Sequence, residues 1–212
     1  MLGRQGAGKG TQCVRLSRHY VVPHISTGDM LRAAVRVGTE LGRKAAELMA
    51  AGELVPDDIM IGIVEERLNR GDTTHRGYIL DGFPRTVDQA EALAKITVSR
   101  PLDVVIDLDV DRKIVLRRLT GRRVCDDCGA NYSSSAPPKY GWVCDNCGGD
   151  VVQRDDDKPA AIERRLSEYE AKTAPLIAWY RERGLLEIVD GTGSTDRVLV
   201  RLVTIIDQRR GS

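Results

Sequence analysis

The stretch MLGRQGAGKGTQC (residues 1–13) decides the fold. From Gly3 through Gly8 to Lys9 it fits the spacing G-x-x-x-x-G-K, with Gly10 where Ser or Thr usually follows and Thr11 one position later. Small residues let backbone N–H groups wrap closely around an anion. A helix opening at the end of the loop adds its positive dipole, and Lys9 supplies a point charge for outer phosphates. Such a loop hangs between a buried strand and a helix, and here only Met1 and Leu2 precede Gly3. A dinucleotide-binding turn is the competing reading, because Gly-Ala-Gly opens a helix and Asp29 lies near the expected acidic offset. Its G-x-G-x-x-G register fails after Gly8, where Lys9 and Gly10 precede Thr11.

Downstream of the loop, helical and strand patterns alternate. TQCVRLSRHY (11–20) continues as a helix and VVPHIS (21–26) reads as a short strand. TGDMLRAAVRVG (27–38) and TELGRKAAELMAAG (39–52) read as helices, each closed by a glycine suited to the left-handed C-terminal position. DDIMIGIVEERLNRG (57–71) places Ile59, Ile63 and Leu68 along one helix face, with Met60 and Val64 beside them. GYILDGFPR (77–85) is a buried strand ending in Asp81 and a glycine turn; helix 86–96, strand 102–110 and helix 111–123 follow. A long helix over 159–184 is interrupted at Pro175, and strand 185–191 and helix 194–208 complete the chain. Strands alternating with helices predict an α/β fold with a parallel sheet covered on both faces.

The 212 residues are 42% hydrophobic and 30% charged, in the range of ordinary globular proteins. No secretory leader and no apolar run long enough for a bilayer span is visible, so a cytoplasmic protein without membrane partners is expected. A formal charge of +1 gives no overall attraction for nucleic acid. Of the five cysteines, Cys13 stands alone and is expected to be a buried helix-face residue. The others form two C-x-x-C pairs, Cys125/Cys128 and Cys144/Cys147, separated by 15 residues. That is the spacing of a tetrahedral four-thiolate zinc site, whose closed shell makes the metal structural. Segment 122–157 is rich in Gly, Ser, Pro and Asp, with little periodicity, and zinc would supply its folding energy. Zinc-held modules also bind nucleic acid. Here the segment sets four cations (Arg122, Arg123, Lys139, Arg154) against seven aspartates, and an acidic lobe repels a phosphodiester backbone.

STGDMLR (26–32) and DGFPRTVDQ (81–89) each carry polar groups and an arginine at a turn. Both have a plain structural explanation, since Ser26 with Asp29 and Thr86 with Gln89 match capping boxes. The arginine inventory shifts the balance: Arg32, Arg85, Arg118, Arg122, Arg154 and Arg165 all fall near predicted element ends, where forked guanidinium groups can clamp phosphate oxygens. Several arginines converging on one phosphate loop mean phosphoryl transfer.

GAGKGTQ (6–12), STGDMLR, GELVPD (52–57), YILDGFPRT (78–86), LTGRRVC (119–125), the two C-x-x-C pairs and ERRLSEYEAKTAPLI (163–177) together resemble the adenylate kinase family, in its long form with a zinc-held lid. The resemblance covers essentially the whole chain. It implies a P-loop NTPase-type five-stranded parallel sheet of order 2-3-1-4-5 flanked by helices. The core would comprise 1–25, 56–121 and 158–212, with a helical monophosphate-binding lobe at 26–55 and a lid at 122–157. By this resemblance Gly6, Ala7, Gly8, Lys9, Gly10 and Thr11 cradle the ATP phosphates, and Arg122, Asn131, Tyr132 and Gly193 lie along ATP. Thr27, Arg32, Glu53, Leu54, Val55, Gly82, Phe83, Pro84, Arg85 and Gln89, with Arg154 and Arg165, hold AMP. Arg118, Arg122, Arg154 and Arg165 surround the transferring phosphoryl group, and Asp81 organises the water shell of Mg²⁺. Cys125, Cys128, Cys144 and Cys147 hold Zn²⁺.

The implied reaction is reversible in-line phosphoryl transfer from MgATP to AMP, giving two ADP, by a monomer. A UMP/CMP kinase and a zinc-dependent nucleic-acid-binding module are the alternatives, and the long cysteine lid argues against the first. Gln5 departs from the family, which usually has proline there, and the metal set is four cysteines rather than three with an aspartate. The resemblance also implies that the central strand starts about four residues before Met1, leaving Met1 and Leu2 as its last rung. A mis-assigned start or a shortened chain is therefore expected.

Overall fold

The computed structural model describes residues 1–211. Helix α1 (Lys9–Tyr20) follows the glycine loop, and strand β1 (His24–Ser26) follows α1. Next come helices α2 (Thr27–Val37), α3 (Glu40–Ala51), α4 (Asp57–Leu68) and α5 (Gly71–Arg76), the last a short element with no counterpart in the periodicity. Then follow β2 (Ile79–Asp81), α6 (Val87–Ile96), β3 (Val105–Asp109) and α7 (Arg112–Gly121). Segment 122–157 carries β4 (Arg122–Cys125), β5 (Asn131–Ser133) and β6 (Val151–Val152), and the chain ends with α8 (Pro159–Glu168), α9 (Pro175–Glu182), β7 (Leu186–Asp190) and α10 (Thr195–Arg210).

Two parallel ladders form the central sheet: β1 with β2, and β3 with β7. They meet at the start of the chain. The Leu2 amide donates to Ile106 O (2.6 Å), Leu108 N donates to Leu2 O (3.0 Å), and Met1 N donates to Leu80 O (2.9 Å). Counting this rung as the first strand, the order across the sheet is 2-3-1-4-5, with the central strand reduced to one residue in register with Asp107. Apolar clusters cover both sides. Leu16, Leu108, Val115, Leu119, Val189 and Leu202 pack one, and Ile25, Val64, Leu80, Phe83 and Leu93 another. Burying side chains of this size contributes roughly 1.5–3 kcal/mol each.

Local chemistry explains most element ends. Gly38 and Gly52 close α2 and α3 in the left-handed conformation, and Ser26, Thr39 and Thr86 accept at the N-termini of α2, α3 and α6. Three readings need correction. In α4 the buried stripe is Met60, Val64 and Leu68, and Ile59 and Ile63 are only half-buried; residues 59–64 run without a polar side chain, so periodicity does not select a face. The long helix is interrupted before Pro175, not at it: Tyr169–Thr173 form a π turn in which Ala174 N donates to Tyr169 O, and Pro175 opens the next helix, where a missing N–H costs nothing. Segment 122–157 is an antiparallel sheet of order β5-β4-β6 rather than an aperiodic lobe. Its strands are two to four residues long, too short for alternation to show. No helix is long and apolar enough to cross a membrane among the described residues.

Candidate functional site

The glycine loop runs from the Leu2 rung to α1, pressed against β3 and α7. A Cβ on Gly3 (φ +128°) would stand 2.6 Å from Leu108 O, and one on Gly6 (φ +83°) 2.8 Å from Leu119 Cγ, so both positions need glycine for conformation and for space. Gly8 precedes α1 with no side-chain cap, which leaves the first N–H groups of the helix free to meet an anion. Lys9 Nζ donates to Gly3 O (2.6 Å) and Arg4 O (3.0 Å), holding its charge over the loop. Burial lowers the Lys9 pKa to about 8, with Arg85 and Arg165 adding to the effect and Asp81 opposing it. Asp81 ends β2 beside the loop, and a Cβ on Gly10 would meet its Oδ2 at 3.4 Å. Burial pushes the Asp81 carboxyl up, but neighbouring His24 and Lys9 outweigh it and the net shift is downward, so the group is a carboxylate.

Beside the loop lies one cavity. Thr27, Arg32, Glu53, Leu54, Val55, Gly82, Arg85, Gln89 and Arg165 line it, joined by Gln5, Met49, Met60, Asp156 and Glu168, none of which was expected at the site. Gln89 is 2% exposed; its Oε1 accepts from Arg85 N (2.8 Å) and its Nε2 donates to Asp57 Oδ1 (2.7 Å), while Asp57 Oδ2 accepts from Thr86. An amide oxygen has a second lone pair and an NH₂ a second hydrogen, so one of each remains. Phe83 and Pro84, joined by a cis peptide, are buried, and the Phe83 ring belongs to the core.

The arginines converge. Arg85 donates through Nε to Gly82 O (2.8 Å), and Arg32 pairs with Asp29. Arg122 donates to both oxygens of Asp157 (2.7 and 2.5 Å), and Arg165 Nη1 donates to Asp157 Oδ1 (3.1 Å) and Asp156 O (2.9 Å). Arg118 donates to Ala7 O (2.8 Å) and Gly191 O (3.3 Å), tying the loop to the turn after β7. Crowding has an electrostatic signature. Burial lowers Arg85 to about 10, with Arg165 and Arg32 pushing the same way, and Arg154 to about 10, with Arg32 and Arg122. Arg165 and Arg118 are also lowered by burial. Asp157, fully buried at the centre, is a partner that no sequence pattern marked, because DDD (155–157) reads as a solvated acidic run.

The remaining candidates lie along segment 122–157 and the turn after β7. Asn131 is exposed at the start of β5, and Gly193 (φ +101°) sits in the turn before α10, whose first residue Thr195 accepts through its carbonyl from Gln12 Nε2 of α1. The Tyr132 hydroxyl accepts from Asp145 N (2.8 Å) and lies 3.3 Å from Cys144 Sγ, so it belongs to the cysteine knuckle. Cys125, Cys128, Cys144 and Cys147 bring their sulfurs within 4.8 Å of one another, with Cys125–Cys147 at 3.4 Å and Cys128–Cys144 at 3.6 Å. Zn–S bonds near 2.3 Å make a tetrahedron with edges of about 3.8 Å, so the four sulfurs fit a structural zinc. Helix α2 reaches this knuckle: Arg36 Nη1 donates to Asp126 O (2.7 Å) and Asp127 O (3.3 Å).

Known proteins resemble this chain over nearly its whole length. A family model described as "Adenylate kinase" matches residues 1–185. A protein from Methanococcoides burtonii, named adenylate kinase, is 50% identical over 211 residues, covering 98% of this chain and 97% of its own. Proteins of the same name from Thermodesulfovibrio yellowstonii (49%, 98% of each chain) and Archaeoglobus fulgidus (50%, 98% of this chain and 96% of its own) are similar to the same extent. An anion loop, a cavity ringed by arginines and full-length similarity at this level lead to one conclusion: the chain belongs to the adenylate kinase family.

Proposed function

We propose how this chain's residues divide the work of the family's reaction, reversible phosphoryl transfer from ATP to AMP with two ADP as products. The chain is a nucleoside monophosphate kinase. The observation that carries the assignment is the convergence of Arg32, Arg85 and Arg165 on one cavity beside the glycine loop, with Arg122 and Arg154 close enough to act on their charges.

The ATP phosphates rest on Gly6–Thr11, with Arg118 holding the loop and Asn131, Tyr132 and Gly193 along the nucleoside. AMP occupies the lined cavity, its phosphate on Arg32 and Arg85 and its base against Thr27, the 53–55 backbone and the free donor and acceptor of Gln89. The acceptor oxygen is already anionic, so no general base is required. Catalysis is positioning and neutralisation of charge by Lys9, Arg85, Arg122, Arg154 and Arg165. Mg²⁺, when bound with ATP, neutralises the outer phosphates, and the Asp81 carboxylate beneath the loop has the position and charge to hold its water shell. Segment 122–157 closes as a zinc-held lid over ATP and segment 26–55 over AMP, keeping water from the phosphoryl group. Arg36 on the knuckle carbonyls supports contact between these segments.

A panel of nucleoside monophosphates with MgATP tests the reading. ADP formation from AMP is expected to exceed conversion of UMP, CMP and GMP, and Gln89→Ala is expected to narrow that difference by roughly 10-fold or more, the usual cost of leaving base-reading groups unpaired. Faster use of UMP or CMP would overturn it.

A further inference from the structure

We propose that Cys13, His24 and Asp81 form a binding site for a borderline-soft divalent cation such as Zn²⁺ or Co²⁺, separate from the four-cysteine knuckle. The three residues come from α1, β1 and the end of β2, and their sulfur, imidazole nitrogen and carboxylate oxygen lie within 4.8 Å of one another. His24 Nε2 is 3.6 Å from Asp81 Oδ2. Around one zinc, such ligands stand roughly 3.3–3.6 Å apart. Closing the triad onto a metal therefore takes movements of the order of 1 Å or less.

Phosphoryl transfer uses neither Cys13 nor His24, and packing alone leaves a cost. His24 Nε2 is buried and faces Asp81 Oδ2 beyond hydrogen-bond distance, with no nearer partner among the described residues, and a metal ion between the two groups gives its lone pair a partner. The charges balance as well. Cys13 is fully buried, an environment that keeps a thiol protonated in the empty site. On binding, its proton leaves to solvent, and thiolate plus the Asp81 carboxylate match the two positive charges of the cation. The Lys9 and Met1 ammonium groups both act on Asp81 and Cys13, so the carboxylate's charge is already partly offset and a cation here needs the thiolate as well. Sulfur and nitrogen donors also select against Mg²⁺ and Ca²⁺. Three protein ligands leave a fourth position open, unlike the closed knuckle. A metal here occupies Asp81 and so inhibits phosphoryl transfer. That consequence rests on the Asp81 role proposed above, whereas binding itself does not.

The test titrates Co²⁺ into nucleotide-free protein whose knuckle zinc has been quantified. Thiolate-to-cobalt absorption, bound metal, proton release and zinc displacement are read together. A second equivalent of metal with a thiolate band and one released proton is expected, absent in Cys13→Ala and weakened at least 10-fold in Cys13→Ser, both of which keep the knuckle zinc. A wild-type protein that takes up no second equivalent, or a band unchanged in both variants, overturns the site. In activity assays with excess Mg²⁺, Zn²⁺ is expected to inhibit wild type and spare Cys13→Ala. Equal inhibition of both overturns the inhibitory consequence while leaving the binding result to stand on the titration.

Discussion

Replacing Asp157 by alanine removes the one carboxylate that two arginines share. Asp157 is fully buried and takes three charged hydrogen bonds, two from Arg122 and one from Arg165, whose side chains are 19% and 14% exposed. Breaking a buried ion pair from one side costs about 3–5 kcal/mol because the remaining charge is left uncompensated. Here both guanidinium groups keep some contact with solvent, and Arg165 keeps Asp156 at 3.2 Å, so the low end applies, about 3 kcal/mol. For a chain of this length each kcal/mol moves Tm by about 2–4 °C, which predicts a drop of about 6–12 °C. Thermal unfolding of zinc-loaded, nucleotide-free protein at low salt, followed by circular dichroism, measures it. Sulfate is expected to restore more stability to Asp157→Ala than to wild type, because the unpaired arginines then have an anion to hold. A drop below about 2 °C, or equal response to sulfate, refutes the view that Asp157 holds these arginines in the place a phosphate takes.

Chelation and Cys147→Ser are each expected to remove one zinc per chain and lower Tm by the same amount, with no further loss when combined; metal analysis and calorimetry check this, and native protein without zinc would count against the knuckle. Lys9 titrates near 8 in the folded chain against its ordinary 10.5, so between those values the unfolded state holds a proton that the folded state lacks, and stability rises with pH across that window. Triphosphate binding favours the charged form. Near pH 9 it should take up close to one proton, seen by calorimetry in buffers of different ionisation enthalpy and lost in Lys9→Met. Val21 closes α1 at φ +55° with 68% exposure, a left-handed position that penalises a β-branched residue; Val21→Gly is expected to gain about 1 kcal/mol, and an unchanged or lower Tm would contradict it.

Where chemistry is local, the sequence could be read directly. The glycine loop, the caps at Ser26, Thr39 and Thr86, the glycine stops and the cysteine knuckle each depend on residues a few positions apart. The sheet order came from resemblance, since no spacing in the chain says that Leu2 bridges β2 and β3. What stayed hidden depends on distant partners. Asp157 looks like surface charge until Arg122 and Arg165 close on it, and Asp57 looks like the first turn of α4 until Gln89 and Thr86 reach it across 32 and 29 residues. Met60 and Val64 became core because residues of α3, α6 and the sheet pack on that face, a choice that the unbroken apolar run 59–64 does not reveal.

The wide turn at Tyr169–Thr173 has a bearing on how this chain tolerates changes in length. A π turn absorbs one residue more than regular α-helix needs, so deleting Ala171 would leave a continuous rod, short of a hydrogen bond only at Pro175, with everything after it still in phase. Leu176 and Tyr180 would stay buried against Leu2 and Val105, and the change would be confined to residues 169–173, where the Thr173 hydroxyl now donates to Arg85 O (2.9 Å). The surplus residue is therefore taken up within one turn: it reshapes the rod beside Arg85 without changing the face that α9 turns to the sheet.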